Sequence, residues 1–437
     1  MRVRRYWPTF LLLALLSSVD GYAEDTRTLK ISVLVTGSEH RSVFYDLGER
    51  FEAEHPGVEI EWLAHRDEVY KQRLDDWLAG SSGPDVVYWQ AGMRLRHQVR
   101  QDRLAPIDSL WRQHGLDRHY TASVKESVSV DGRVYAIPYS YYQWGVYYRE
   151  SLFDRLDLEV PTTWDELVRT CDRLNAAGVT PFTIGTRHKW PAAAWFDYIN
   201  LRLNGIEFHR AVVAGRVAFT HPRVRAVLER WRTLLEHDCF PPFAVHSEHD
   251  WESALPFLYH GLAGMTLMGN FLAAQLPESV RGDVRFFRFP TLDPEIGRYE
   301  EAPTDVFTLP KRSADDPAAR AFLAYMASAR AQGHLNNRIG KISTNREART
   351  ADDYFIRRGA ELLRRAHGLT QFFDRDAPPA LAAPVMDALQ RFMEHRDVER
   401  ALTQLESARR RFLEQRPGAS SEAASETAAN DARVSGP

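Results

Sequence analysis

The sequence predicts an α/β protein of two lobes, each a mainly parallel sheet flanked by helices. Three observations carry this expectation. From Leu29 to Trp89, strand-like and helix-like patterns alternate at about the unit length of a parallel, doubly wound sheet. A second α/β alternation runs from Pro161 to Pro290. Between them lies an aromatic stretch, Arg133 to Phe153, broken by Pro138. Proline removes a ladder donor and fixes φ, so the first strand of this stretch is expected to stop near Ile137, where the chain crosses between lobes. Its tyrosines and Trp144 suit either a core strand or the lining of a cleft.

Taken in order, Leu29–Val35 is an apolar strand, and Val43, Phe44, Leu47 and Phe51 then recur at helical spacing until His55-Pro56-Gly57. Val58–Leu63 makes a second strand. Asp67–Ala79 is a helix with Tyr70, Leu74, Trp77 and Leu78 inward, and Asp85–Trp89 is a third strand. Thr163 and Glu166 have capping-box spacing at the start of a helix that ends at Gly178. Val179–Gly185 reads as a strand, Trp190–Asn204 as a helix closed by Gly205, and Arg223–His237 as an amphipathic helix. Strands follow at Val284–Phe289 and Asp305–Leu309, then a helix over Pro317–Arg330. Ala360–Gln415 reads as mostly helix with a break at Pro378-Pro379. Beyond Pro417 the Ala/Ser/Glu/Gly composition cannot bury a core, which predicts a disordered tail over 416–437.

The 437 residues, 44% hydrophobic and 11% aromatic, suffice for two cores. Arg2, Arg4 and Arg5 precede an apolar run around Phe10–Leu16 and the small residues Gly21 and Ala23, the pattern of a cleaved leader. The run is shorter than the roughly 20 apolar residues a membrane helix needs. Export with cleavage after Ala23 is expected, into a bacterial periplasm, without a lipid anchor. The leader takes three arginines and Asp20 from 56 basic and 59 acidic side chains, so the remaining chain has a balance of about −5. That balance argues against nucleic acid as a partner. Cys171 and Cys239, the two cysteines, are either one disulfide or two buried thiols.

Six short motifs stand in a specific order: Gly83-Pro84-Asp85-Val86-Val87, Asp131 to Pro138, Tyr147 to Phe153, Pro161 to Leu167, Ala263-Gly264-Met265 and Gly340-Lys341-Ile342-Ser343. In order and spacing they resemble the family 1 extracellular solute-binding proteins, the maltose-binding-protein-like sugar-binding components of ABC importers, over nearly all of 29–415. The resemblance implies the two-lobed periplasmic binding protein fold with three interlobe crossings. Lobe 1 would hold 24–139 and 288–345, and lobe 2 140–287 and 346–415. It implies a monomer that captures a mono- or oligosaccharide, without a cofactor, and hands it to ABC permease subunits. An alternative keeps the fold but makes the protein a ligand-sensing subunit that signals through a membrane sensor kinase. The chain departs from the family pattern at Arg149, Phe271 and Ser343, where Asn, Trp and Pro are usual.

A sugar site needs flat aromatic platforms and a few fixed polar groups between lobes. Trp89, with Gln90 beside it, stands where the resemblance implies ring stacking on sugar, or caps the sheet as a core residue. Tyr142 and Trp144 follow the first crossing at the spacing of the family's ligand contacts, and alternation predicts that only some residues there face the cleft. Glu39 and His40 lie in the loop after the first strand, at a strand carboxyl end where such sheets bind ligands. Arg187 with Trp190, and Asn270 with Phe271, form two polar-aromatic clusters, and Asp305 opens a strand near the second crossing. No Gly-x-Ser-x-Gly elbow, HExxH or Walker loop occurs, and His246 and His249 have neither helical nor zinc-finger spacing. No catalytic or metal-ligating residue is therefore expected.

Overall fold

The computed structural model describes residues 26–415, so the expected leader at 1–23 and tail at 416–437 lie outside the described residues. The chain opens with β1 (Arg27–Leu34), α1 (Ser38–Glu54), β2 (Val58–His65), α2 (Asp67–Ala79), β3 (Val86–Gln90) and α3 (Met93–Arg100). Val43, Phe44, Leu47 and Phe51 form the buried stripe of α1, as their spacing predicts. The chain then crosses through β4 (Ala136–Tyr141) into β5 (Trp144–Arg149).

The second body contains α4 (Trp164–Ala176), β6 (Thr180–Phe182), α5 (Trp190–Val213), α6 (Pro222–Glu236), α7 (Trp251–Tyr259), β7 (Ala263–Gly269), β8 (Val284–Phe287) and β9 (Tyr299–Glu301). Thr163 and Glu166 make the predicted capping box on α4. Gly205, at φ 75°, breaks α5 where the sequence places a stop, and the helix resumes beyond it. The chain returns through β10 (Thr304–Thr308), α8 (Pro317–Ala327) and α9 (Ala329–Ile339). It ends with α10 (Tyr354–Arg364), β11 (Gly368–Thr370), α11 (Phe373–Asp376), α12 (Pro379–His395) and α13 (Val398–Glu414).

Two larger sheets and two large cores stand out among the described residues. One sheet runs β2-β1-β3-β10-β4 and the other β8-β5-β7-β6. The first core spans Leu29 to Tyr139 and Val306 to Ile339, and the second Tyr142 to Phe289 and Phe355 to Ala408. The two-lobed α/β expectation holds, but the sheets are mixed rather than mainly parallel. β1 pairs in parallel with β2 and β3, whereas β10 is antiparallel to β3 and β4. In the second sheet only β6 and β7 run in parallel. Strands that arrive from the other lobe are not constrained by a crossover helix, so nothing forces them parallel.

Pro138 does not end its strand. β4 is the edge of its sheet, where a missing N–H costs no ladder bond, and a register shift between Asp305 and Val306 absorbs the irregularity. The Pro138 carbonyl accepts from Gln332 Nε2 at 3.1 Å and Thr344 Oγ1 at 2.7 Å. The helix expected over 317–330 splits at Ser328, whose hydroxyl caps α9 through the Ala331 amide at 3.1 Å. The C-terminal region is interrupted by β11 and α11 as well as by Pro378-Pro379. Residues 289–301 pack with the second core, past the boundary expected at 288: Phe289 belongs to that core, β9 pairs with β11, and Glu300 bonds Arg202 of α5. Thr344 and Asn345 bind Pro138, Gln332 and Ala327 of the first lobe, and Phe355 enters the second core.

Cys171 and Cys239 are joined as a disulfide, with their Cα atoms 5.5 Å apart. It ties α4 to the segment after α6 and closes a loop of sequence separation 68. Thiol counting under denaturing, non-reducing conditions should find no free thiol. Replacing both cysteines by alanine should lower the urea-derived stability by about 2–4 kcal/mol. Two titrating thiols in the native protein would overturn this pairing.

Candidate functional site

The carboxyl ends of β1 and β3 and the start of β10 face the second lobe across a cavity of about 170 Å³. Strand alternation decides which side chains enter it. Tyr88 and Gln90 on β3 line the cavity, while Trp89 between them turns into the first core. There Trp89 lies near-parallel to Tyr70, centroids 6.4 Å apart, with the Arg94 guanidinium 5.9 Å over its ring. The expected sugar platform is thus a core residue, because Gln90 and Trp89 cannot share a face.

Eight of the expected residues do come together around the cavity: Glu39, His40, Gln90, Tyr142, Trp144, Trp190, Phe271 and Asp305. Arg187 does not; its loop is held to that of Glu248 and His249 by bonds to both carbonyls. Asn270 is also outside the cavity wall. It is fully buried, donates from Nδ2 to the Gly340 carbonyl of the other lobe, and accepts from Tyr147 Oη at 3.5 Å.

The polar side of the site is organised by Asp305. Its Oδ2 accepts from Lys341 Nζ at 2.6 Å, and its Oδ1 from Tyr88 Oη at 3.0 Å and Arg375 Nη1 at 3.3 Å. Arg375 also donates to Tyr142 Oη at 2.6 Å, and Lys341 Nζ sits 5.1 Å over the Tyr142 ring. Burial pushes the Asp305 carboxyl up, but Lys341 and Arg375 outweigh it and hold the group below its usual range. His40 is lowered to about 3 by burial and then by Lys341. Its Nδ1 stands 3.3 Å from the Thr36 amide, which can only donate, so the neutral ring carries its proton on Nε2. Arg94 of the first lobe donates from Nη2 to the Asp374 carbonyl of α11 at 2.7 Å, and also to Gln90 Oε1.

The second lobe supplies aromatic surface. Phe271 meets Trp251 edge-on at 4.9 Å, Tyr142 at 5.4 Å, Trp144 at 6.1 Å and Trp190 at 6.4 Å. Trp144 also packs on Phe372 at 4.4 Å. Gly269 makes room for this cluster: a Cβ there would stand 2.5 Å from the Phe271 ring and 2.8 Å from Trp144 Nε1. A ring-lined wall opposite a fixed hydrogen-bonding wall can hold a ligand with one apolar face and several hydroxyls. Among the described residues, no cluster of three His, Cys, Asp or Glu is arranged to hold a metal ion.

Sequence reasoning missed Tyr88, Trp251, Lys341, Phe372 and Arg375. Tyr88 was accessible from alternation once Gln90 was chosen, and Lys341 lies within the Gly340–Ser343 motif. Phe372 and Arg375 gave no signal, because the segment around α11 reads as part of a longer helix.

Fold and site together define a two-lobed binding protein with an interlobe cleft. Residues 37–333 match the family model for bacterial extracellular solute-binding proteins, and the chain belongs to this family. It is 24% identical over 402 residues to an uncharacterised ABC transporter extracellular-binding protein of Pyrococcus horikoshii, covering 89% of each chain. It is 25% identical over 289 residues to the alpha-glucosides-binding periplasmic protein of Rhizobium meliloti, covering 62% of each. Among solved structures, the bacterial solute receptor AcbH, described as preferring β-D-galactopyranose, superposes with a TM-score of 0.82 at 25% identity, covering 89% of this chain and 98% of that one. A chitin oligosaccharide binding protein shares the fold with a TM-score of 0.78 at 20% identity, over 88% and 98% of the two chains.

Replacing Asp305 by asparagine leaves Lys341 and Arg375 without their shared counter-charge, which should cost about 3–5 kcal/mol in urea unfolding. A carboxyl with a lowered folded-state pKa contributes stability above its unfolded pKa and loses it as pH falls through the folded value. The native protein should therefore lose stability below the ordinary carboxylate range, and the Asp305→Asn variant should lose less over that interval. Parallel acid profiles for the two proteins would contradict this role.

Proposed function

We propose that this protein is an exported receptor that captures a neutral saccharide of one or two rings between its lobes and passes it to an ABC import permease. The observation that carries this reading is the pairing of an aromatic wall from one lobe with the Asp305-centred hydrogen-bonding wall of the other. Export with the leader removed near Ala23, and action as a monomer, belong to the same proposal. The glucosides and galactopyranose named for its relatives support the ligand class.

Size and charge narrow that class. A cavity of about 170 Å³ is small beside the roughly 300–1,000 Å³ typical of sites for drug-sized ligands. Glu39, Asp67, Asp305 and Asp374 on its wall are matched by Lys71, Arg338, Lys341 and Arg375, while His40 is neutral. Lys71 is further paired with Asp67 at 2.7 Å. A carboxylated sugar would meet no surplus of positive charge.

Thermal-shift screening against neutral mono- and disaccharides and the matching uronic acids tests this. A true ligand at 100 times Kd should add about 2.7 kcal/mol. A response confined to uronic acids would overturn the charge argument. With the ligand in hand, Trp190→Ala should weaken binding in calorimetry by about 1–3 kcal/mol while the protein still melts cooperatively. Unchanged affinity would remove Trp190 from the site.

Closure should be visible in solution. Two well-packed cores resist deformation, so ligand-driven motion concentrates at the crossings around residues 141–144, 302–304 and 346–353. Small-angle scattering should give a smaller radius of gyration with saturating ligand than without. A fixed radius under saturation would favour a preformed pocket.

A further inference from the structure

A second cavity, of about 210 Å³, opens between the lobes behind the crossing strands. Neighbouring residues are divided between the two cavities: Tyr142 and Asp305 line the cleft, whereas Tyr141 and Thr304 line the second cavity. Successive side chains of an extended chain point to opposite faces, so the crossings form a partition with a cavity on each side. α11 continues that partition, with Arg375 on the cleft and Asp376 on the second cavity. Both lobes supply the wall. Arg96 of α3 and Ser127 come from the first, and Arg210 of α5, Arg216 and Gln371 from the second.

The charges of the cleft are matched, four acids against four cations, but those of the second cavity are not. Here three arginines, Arg96, Arg210 and Arg216, face two carboxylates, Glu126 and Asp376. Asp376 is already engaged by the Met93 amide at 2.8 Å, and Arg96 Nη1 stands 4.0 Å from it, beyond hydrogen-bond reach. Burial pushes the Asp376 carboxyl up, while Arg96, the Met93 amide and Arg210 pull it down, so guanidiniums from both lobes act on one carboxylate. Arg210 donates from Nη2 to the Leu369 carbonyl at 3.1 Å, and its Nη1 is 3.6 Å from the exposed Glu207. Arg216 is exposed at the rim and meets no acid or acceptor among the described residues. A guanidinium carries five N–H donors and no acceptor, so most donors of this wall have no protein partner. Gln371 adds a neutral one. Its Oε1 accepts from the Thr304 amide at 3.3 Å, which leaves Nε2 as the end without an acceptor in a residue only 8% exposed.

We propose that this cavity is a second binding site, which takes a small inorganic oxyanion, phosphate or sulfate, on Arg96 from the first lobe and Arg210 and Arg216 from the second. A tetrahedral oxyanion presents several acceptors on a compact, charged body, and guanidinium forks answer that shape with charge-assisted hydrogen bonds. A neutral polyol would leave the surplus charge unanswered, and a cation would be repelled by it. The site is complete only when both lobes contribute, and it lies apart from the saccharide cleft whatever that cleft binds.

Calorimetric titration of the mature protein tests this without any saccharide, so its failure and a failure of the saccharide screen are distinguishable. Phosphate or sulfate should bind saturably at one site, and chloride at equal ionic strength should not. Arg96→Ala and Arg216→Ala should each weaken that binding about tenfold or more, the loss of a charge-assisted contact. Glu126→Gln, which removes an opposing carboxylate, should strengthen it severalfold. Arg338→Ala takes a cation from the cleft wall instead and should leave oxyanion affinity as it is. Absence of saturable binding by the native protein overturns the proposal. So does a loss in Arg338→Ala with full affinity in Arg216→Ala, which would put the anion in the cleft. If Arg96→Ala does not fold, Arg216→Ala decides, because its exposed side chain holds nothing in place: native affinity there refutes the site.

Discussion

Asp305 is buried where three parts of the chain meet, and burying a carboxylate is tolerable only if charges and donors are brought to it. Lys341 comes from the link after α9, Arg375 from α11 of the second lobe, and Tyr88 from β3. Each partner is separated from Asp305 by a long stretch of chain, so the carboxylate specifies how those stretches sit. Tyr142 is then drawn in, because Arg375 donates to its hydroxyl and both cations lie over its ring. The result is a wall of fixed dipoles beside the aromatic wall, with its charges already matched.

This arrangement bears on closure. Arg375 reaches from the second lobe to Asp305, and Arg94 reaches from the first lobe to the Asp374 carbonyl. Contacts that span the lobes favour one relative position, and a ligand shifts that balance only by its own differential contacts with the two walls. The aromatic wall supplies area and the Asp305 wall supplies direction. A hydroxylated ring with one apolar face engages both at once, which an elongated apolar ligand cannot do.

Much of the fold was legible from periodicity, because α1, α2 and α4 need an apolar stripe or a cap that only a few residue patterns provide. Strand direction was not legible. β4 and β10 read as strands, yet their antiparallel placement follows from the chain crossing between lobes, a long-range fact without local signature. Pro138 misled for a related reason: its cost depends on whether the strand is an edge, and edge status is a property of the whole sheet. Among the expected residues, several on strand ends and after glycines line the cavity, because the carboxyl ends of the strands open onto the cleft in such sheets. Trp89 was misplaced by one residue of alternation, since a platform and a core tryptophan look alike until the strand's inward face is known. Arg375 was missed because α11 is a single turn held by Asp197 from below, and nothing in its local composition marks it.

That last case shows where the site's geometry originates. α11 is too short to be stable by itself, since isolated helical turns do not repay the cost of nucleation. Its position is imposed from two sides: Asp376 accepts from the Met93 amide at 2.8 Å on the first lobe, and Asp197 accepts from the Phe373 amide on the second. Between these anchors the chain has little freedom, and Arg375 is delivered to Asp305. A contact that looks like a simple ion pair therefore depends on two aspartates that never touch it, Asp197 fully buried and Asp376 partly so. The polar wall of the cleft thus rests on polar groups linked in series, from Asp197 in the interior of the second lobe through the Phe373 amide and Arg375 to Asp305 on the face of the first.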